Sequence, residues 1–298
     1  MVSLIRCVNA PSHLGLLAAL CAIAACGVDT TDDASSAIQG EDVERTALIE
    51  LWSEGVPAFG IFVPNERERD ARGPDGERLP ALYSSAGGER MAQNPLLDYV
   101  FLNLEGRYDV EAISQIAQGL ASPTAVSKKT LLVRIPPIST DGADVARARV
   151  AEALAAGADG IVLPHVRSPQ EARMAVTFFE DIGADVWSPT NPDGTILAML
   201  MIEDAGALAA TQGIADTPGY SVLACGIGSL SEALGDRAAG EAGNMEVLAH
   251  ARRVNLPDMI TADAEDVARR IEEGFLGLLM SGPDADADIE VGRKAAGR

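Results

Sequence analysis

The sequence predicts an α/β protein folded as a closed (β/α)8 barrel, and three observations carry that expectation. Eight short apolar runs recur along the chain, separated by helical or loop-like segments, which is the pattern of repeated βα units. Only 4% of the residues are aromatic while Ala and Gly abound, which suits helices packed closely on a sheet better than a sandwich rich in Tyr and Thr. With 298 residues, 47% of them hydrophobic, the chain is long enough for one core of barrel size. An open doubly wound sheet shares the same periodicity, so the repeats alone leave closure open.

Residues 1–25 precede the barrel and read as an export signal. Arg6 supplies a positive start, residues 14–25 (LGLLAALCAIAA) an apolar core too short to span a bilayer comfortably, and no acid precedes Asp29. Ile23-Ala24-Ala25-Cys26 resembles the bacterial lipobox, in which cleavage before the Cys accompanies attachment of a diacylglyceryl group to its sulfur. Ordinary secretion with a coincidental Cys is the alternative. Residues 26–44 are then a lipidated Cys26 and a polar, flexible tether. The expected location is the bacterial cell envelope, facing the periplasm, with membrane contact through the lipid anchor only. Cys7 and Cys21 leave with the signal and Cys26 is acylated, so Cys225 stands alone and no internal disulfide forms.

The barrel domain is expected over residues 45–298. Residues 58–63 (AFGIFV) are the first strand, and the charged stretch 64–80 is a surface insertion. Residues 98–103 give the second strand, 110–120 its helix and 130–134 the third strand. A helix over 143–156 ends at Gly157, where a C-terminal cap is expected. Strand four is 160–164. Ser168, Pro169 and Glu171 then form an N-cap, a first-turn Pro and a capping-box acid. Strands five to eight are 197–202, 221–225, 259–261 and 275–280. Asp284, Asp286 and Asp288 alternate with small residues and read as a solvated tail.

A formal charge of −21 repels phosphate backbones and excludes nucleic acid as a partner. It leaves anionic substrates open, because one Arg reverses the field inside a cleft. In a parallel barrel, polar groups at the C-terminal strand ends share that cleft. Four places qualify: Asn103 with Glu105, Arg134, Glu203 with Asp204, and residues 226–231 (GIGSLS). Glu203 reads equally as a first-turn helix acid favoured by the dipole. Asp204 could add a carboxylate, but its side chain should diverge from that of its neighbour. Arg134 closes an apolar strand and needs a carboxylate or a substrate beside it. His13 lies in the signal and His250 in a surface helix. His165 alone sits at a strand end, either lining the pocket or packing between loops.

Residues 156–173 (AGADGIVLPHVRSPQEAR) resemble the strand-four signature of the HpcH/HpaI aldolase/citrate lyase family. The order of Arg134, Met201-Ile202-Glu203 and the Gly226-to-Ser231 loop is similar too, and the resemblance runs from about residue 48 to 280. It implies a TIM barrel of the phosphoenolpyruvate/pyruvate type and a carbon-carbon lyase acting on a small 2-oxo acid or carboxylate. In such an enzyme a divalent cation, Mg2+ or Mn2+, chelates the 2-oxo acid and stabilises an enolate. The resemblance assigns Glu203 to the metal and Arg134 to the substrate and its developing charge. It makes Glu105 and His165 further catalytic candidates, places Gly226, Gly228 and Ser229 against the substrate, and leaves room for a homo-oligomer.

Three departures bear on activity. Ser229 stands where the family has a strand-six Asp, and a neutral hydroxyl is a poorer ligand for a hard cation. The acid-Gly-Glu-His sequence after strand two is here Asn103-Leu104-Glu105-Gly106, without the His. The Arg-Gly loop after strand four is replaced by residues 187–194 (WSPTNPDG), without an Arg. A second function class therefore stands beside the enzyme: a non-catalytic envelope lipoprotein whose barrel binds a carboxylate or another protein. In either class, Arg134 and Glu203 are expected to face one cleft, in a pocket that includes Glu105.

Overall fold

A computed structural model describes residues 45–68 and 70–298. The expected signal, Cys26 and the whole tether lie outside the described residues. No helix among those described is long and apolar enough to cross a membrane.

The chain opens with α1 (Ala47–Ser53), β1 (Ala58–Phe62), α2 (Ser85–Ala92), β2 (Tyr99–Asn103), α3 (Val110–Leu120) and β3 (Thr130–Arg134). It continues through α4 (Ile138–Asp141), α5 (Ala143–Ala155), β4 (Gly160–Leu163), α6 (Pro169–Glu180) and β5 (Leu197–Ile202). Next come α7 (Ala205–Ala209), α8 (Thr211–Ala215), β6 (Val222–Cys225), α9 (Ile227–Leu234) and α10 (Arg237–Arg253). The last elements are β7 (Asp258–Thr261), α11 (Val267–Glu273), β8 (Gly277–Met280) and α12 (Ala285–Ala295). Each strand pairs in parallel with the next, and β8 pairs with β1 from Ala58 opposite Gly277 to Ile61 opposite Met280. The barrel is therefore closed, and the open-sheet alternative is gone.

Strand periodicity of two divides the core. Tyr99, Phe101, Leu132, Val162, Leu197, Met199, Met201, Val222, Ala224, Met259 and Leu279 pack together inside the barrel. Their neighbours along the strands, such as Val100, Leu131, Ile161, Leu200 and Leu278, pack outward among the helices. Leu48, Ile49 and Trp52 of α1 join the inner cluster. Trp52 Nε1 donates to Leu276 O at 2.8 Å, which ties this helix to the approach of β8. The parity that fills the barrel also points residues 103, 134 and 203 inward at the C-terminal ends of their strands.

Local chemistry explains the element ends. Asp109, Ser168, Asp204 and Asp236 each cap a helix by accepting a backbone N–H from the first turn. Glu171 reaches back to Arg167 N at 2.8 Å, so the capping-box acid satisfies the residue just outside the cap. Gly157 follows α5 with φ +103°, a left-handed conformation natural to glycine. Two expectations change. Residues 284–298 are not a solvated tail, because α12 packs its Ile289 into the outer core and Asp288 is buried. Strand eight begins at Gly277, since Phe275 and Leu276 belong to the approach.

Candidate active site

At the C-terminal mouth of the barrel, Arg134 stands at the end of β3 and Glu203 follows β5 directly. Glu203 is almost wholly buried, its side chain 1% exposed, and a buried carboxylate requires compensation. Arg134 Nη2 supplies it, donating to Glu203 Oε1 and Oε2 at 3.0 and 3.1 Å. The same nitrogen lies 2.8 Å from Glu105 Oε2, so one guanidinium joins two carboxylates. Arg134 Nε is buried without a hydrogen-bond partner among the described residues.

His165 closes the cluster. Its backbone N donates to Glu203 Oε2 at 3.0 Å, while its Nε2 lies 3.1 Å from Glu105 Oε1 and 3.6 Å from Glu203 Oε2. Its φ is +53°, uncommon for a residue with a side chain and costing about 1–2 kcal/mol. Such an outlier beside buried charge points to a built site. The Asx turn in which Glu105 N donates to Asn103 Oδ1 at 3.2 Å sets Glu105 opposite it.

Glu105, His165 and Glu203 each offer a ligand atom, and these atoms lie within 4.8 Å of one another. Two carboxylates and an imidazole are donors that fit a divalent cation. Gly226 leaves room for the arrangement, since a Cβ there would collide with the Glu203 carboxylate.

Beneath the cluster lies a cavity of about 240 Å³ lined by Arg134, Glu203, Gly226, Gly228, Ser229, Thr261 and apolar barrel residues. Arg134 and Glu203 share it as expected. Glu105 and His165 are absent from its lining, contrary to the expectation for Glu105, because they meet the cluster from the loops above. Ser229 lies in the first turn of α9 against the cavity. Asp204 turns away, as its divergence predicts, and caps α7 by accepting from Ala207 N at 2.8 Å. His250 belongs to the last turn of α10, remote in sequence from every strand end of the cluster. Cys225 is buried, and burial raises its thiol pKa far above the usual range, with Asp258 and Glu203 adding to the effect. It is neutral and unsuited to nucleophilic work. The left-handed turn at His165 left no signal in the sequence beyond the Pro164-His165 pair.

The sequence profile of the HpcH/HpaI aldolase/citrate lyase family matches residues 92–278. No curated protein sequence matches the chain significantly. Among solved structures, a family protein from Burkholderia cenocepacia J2315 superposes with a TM-score of 0.62 at 20% identity, covering 84% of this chain and 97% of that one. An HpcH/HpaI aldolase from Desulfitobacterium hafniense DCB-2 gives 0.58 at 21% identity, with coverage of 82% and 93%. The citrate lyase beta subunit from M. tuberculosis, complexed with oxaloacetate and magnesium, gives 0.53 at 16% identity, with coverage of 81% and 97%.

Proposed function

The chain belongs to the HpcH/HpaI aldolase/citrate lyase family, and on that premise we propose that it is a divergent carbon-carbon lyase acting on a small 2-oxo acid or carboxylate. The observation that carries the reading is the cluster in which Arg134 bridges Glu105 and Glu203 over a cavity at the barrel mouth. A solvated surface does not bury such charges, and their position at the C-terminal strand ends is where barrel enzymes work.

Glu203 would hold a divalent cation, Mg2+ or Mn2+, with Glu105 within reach, and the cation when bound supplies Lewis acidity toward the substrate's 2-oxo group. Arg134 lines the cavity and presents its positive charge to a substrate carboxylate or to charge developing on an adjacent oxygen. Its Nε–H adds a donor without a hydrogen-bond partner among the described residues. Glu105 holds the imidazole of His165 through Nε2, and this pair takes the place of the His missing after strand two, with Nδ1 left as the nitrogen that accepts or returns a proton. Gly226, Gly228 and Ser229, at the start of α9, lie against the substrate.

Retro-aldol cleavage of a 4-hydroxy-2-oxo acid, followed as pyruvate release with Mn2+ present, tests the reading. Arg134→Lys keeps the charge but loses the planar fork, and should lower kcat/KM by roughly 100-fold, or about 2.7 kcal/mol. Cleavage that survives Arg134→Lys unchanged contradicts the assignment.

The anchor is proposed separately, from Ile23-Ala24-Ala25-Cys26 closing an apolar segment. Cys26→Ser should release the protein from membranes. Wild-type protein already found soluble in the periplasm or the medium sinks the anchor.

A further inference from the structure

The charge and surface of the cavity restrict what can occupy it. Phe62, Phe101, Met201, Met259 and Leu279 form an apolar wall. Arg134 is the one cation among the lining residues, and it already serves Glu203 and Glu105 at 2.8–3.1 Å. The formal charges of Arg134, Glu105 and Glu203 sum to −1, and a bound divalent cation would bring the sum to +1. One carboxylate neutralises that site. A second would find no further cation among the lining residues, only the neutral hydroxyls of Ser229 and Thr261 and the backbone at the start of α9, and would otherwise lie ionised against Met and Phe side chains, which disfavours it.

We propose that the site selects 2-oxo monocarboxylates bearing an apolar group at C3 and rejects 2-oxo dicarboxylates, the carboxylate sitting at Arg134 and the apolar group against the methionine and phenylalanine wall. The proposal rests on the 2-oxo acid reading above and sets this chain apart from a relative complexed with oxaloacetate. About 240 Å³ accommodates a short branched chain. Unbranched, rotatable methionines adapt to its shape.

Two ligands of nearly equal shape isolate the charge. 4-Methyl-2-oxopentanoate carries two methyl groups where oxaloacetate carries two carboxylate oxygens. Calorimetric titration of the full-length chain with each, and with pyruvate, all in Mn2+, should show 4-methyl-2-oxopentanoate binding at least tenfold tighter than oxaloacetate, a difference of about 1.4 kcal/mol. Thr261 lines the cavity at the exposed end of β7, so Thr261→Lys adds a cation without disturbing the core. That variant should bind oxaloacetate about tenfold tighter than wild type does. Equal or tighter binding of oxaloacetate by wild type, with pyruvate bound, overturns the selectivity and leaves the 2-oxo acid reading standing. If none of the three ligands binds, both fall.

Discussion

Arg134 was legible as a residue in need of a partner, because an Arg closing an apolar strand demands compensation. Its partners Glu105 and Glu203 were legible through their places at strand ends, one of them outside the cavity it was expected to line. The geometry joining them was not, since the left-handed backbone of His165 depends on the buried carboxylate that its N–H serves. Asp258 was missed altogether. It begins β7, is 1% exposed, and neither side-chain oxygen has a hydrogen-bond partner among the described residues. Burial raises its pKa well above the ordinary value. The folded protein therefore keeps a proton that the unfolded chain loses near pH 3.9. Stability from this group is full below that pH and is lost as pH rises toward the folded pKa. Asp258→Asn should stabilise the protein by about 1–3 kcal/mol at pH 8 and by little at pH 4. Thermal unfolding of both proteins at the two pH values checks this, and an equal shift at both would contradict it.

Elements with strong local signals came out as expected. The strands over 130–134 and 197–202 and the helix over 110–120 match to the residue, because apolar runs and an Asp109 cap mark their ends. α12 was read as a tail because its acids are conspicuous and its buried side, Ile289 and Gly292, is sparse. Its place depends on Asp98, which accepts from Arg293 and Arg298, nearly 200 residues away in sequence. The tie between α10 and α11 spans a shorter stretch, 29 residues from Glu241 to Arg270. Arg270 is fully buried and meets Glu241 with two 2.8 Å bonds, Asp266 at 3.0 Å and Glu273 at 3.3 Å. Its hydrogen bonds help hold the Glu241 carboxyl below the usual range, so the tie contributes above the unfolded carboxylate pKa and fades as pH falls through the folded one. Arg270→Ala removes the buried cation that joins the two helices, leaving Glu241 paired only with Arg237 and Asp266 and Glu273 only with Arg269, and should cost about 3 kcal/mol. Urea unfolding at neutral pH measures that cost, and a loss below 1 kcal/mol would show the network to be dispensable.

For the whole molecule, the periodicity supplied eight βα units, the order of motifs and the family resemblance implied a closed barrel, and the pairing of β8 with β1 shows it. Periodicity reports which residues are apolar and says nothing of which strands are neighbours. Closure is also what gives the site its form, since β3 and β5 then aim Arg134 and Glu203 into one mouth while the loop after β2 sets Glu105 over them. The net charge of −21 makes this one cationic side chain, held between two carboxylates, the feature on which binding of an anion depends. The central claim is that the cluster of Arg134, Glu105, His165 and Glu203 acts on a 2-oxo acid by moving a proton at C3. Exchange of the pyruvate methyl protons for deuterium in D2O, followed by proton NMR with Mg2+ and the full-length chain, tests it without presuming the physiological substrate. Wild-type protein should deplete the methyl signal well above the protein-free rate, and Arg134→Ala should return exchange to that background. Wild-type exchange no faster than background, or exchange unaffected by Arg134→Ala, would contradict the account.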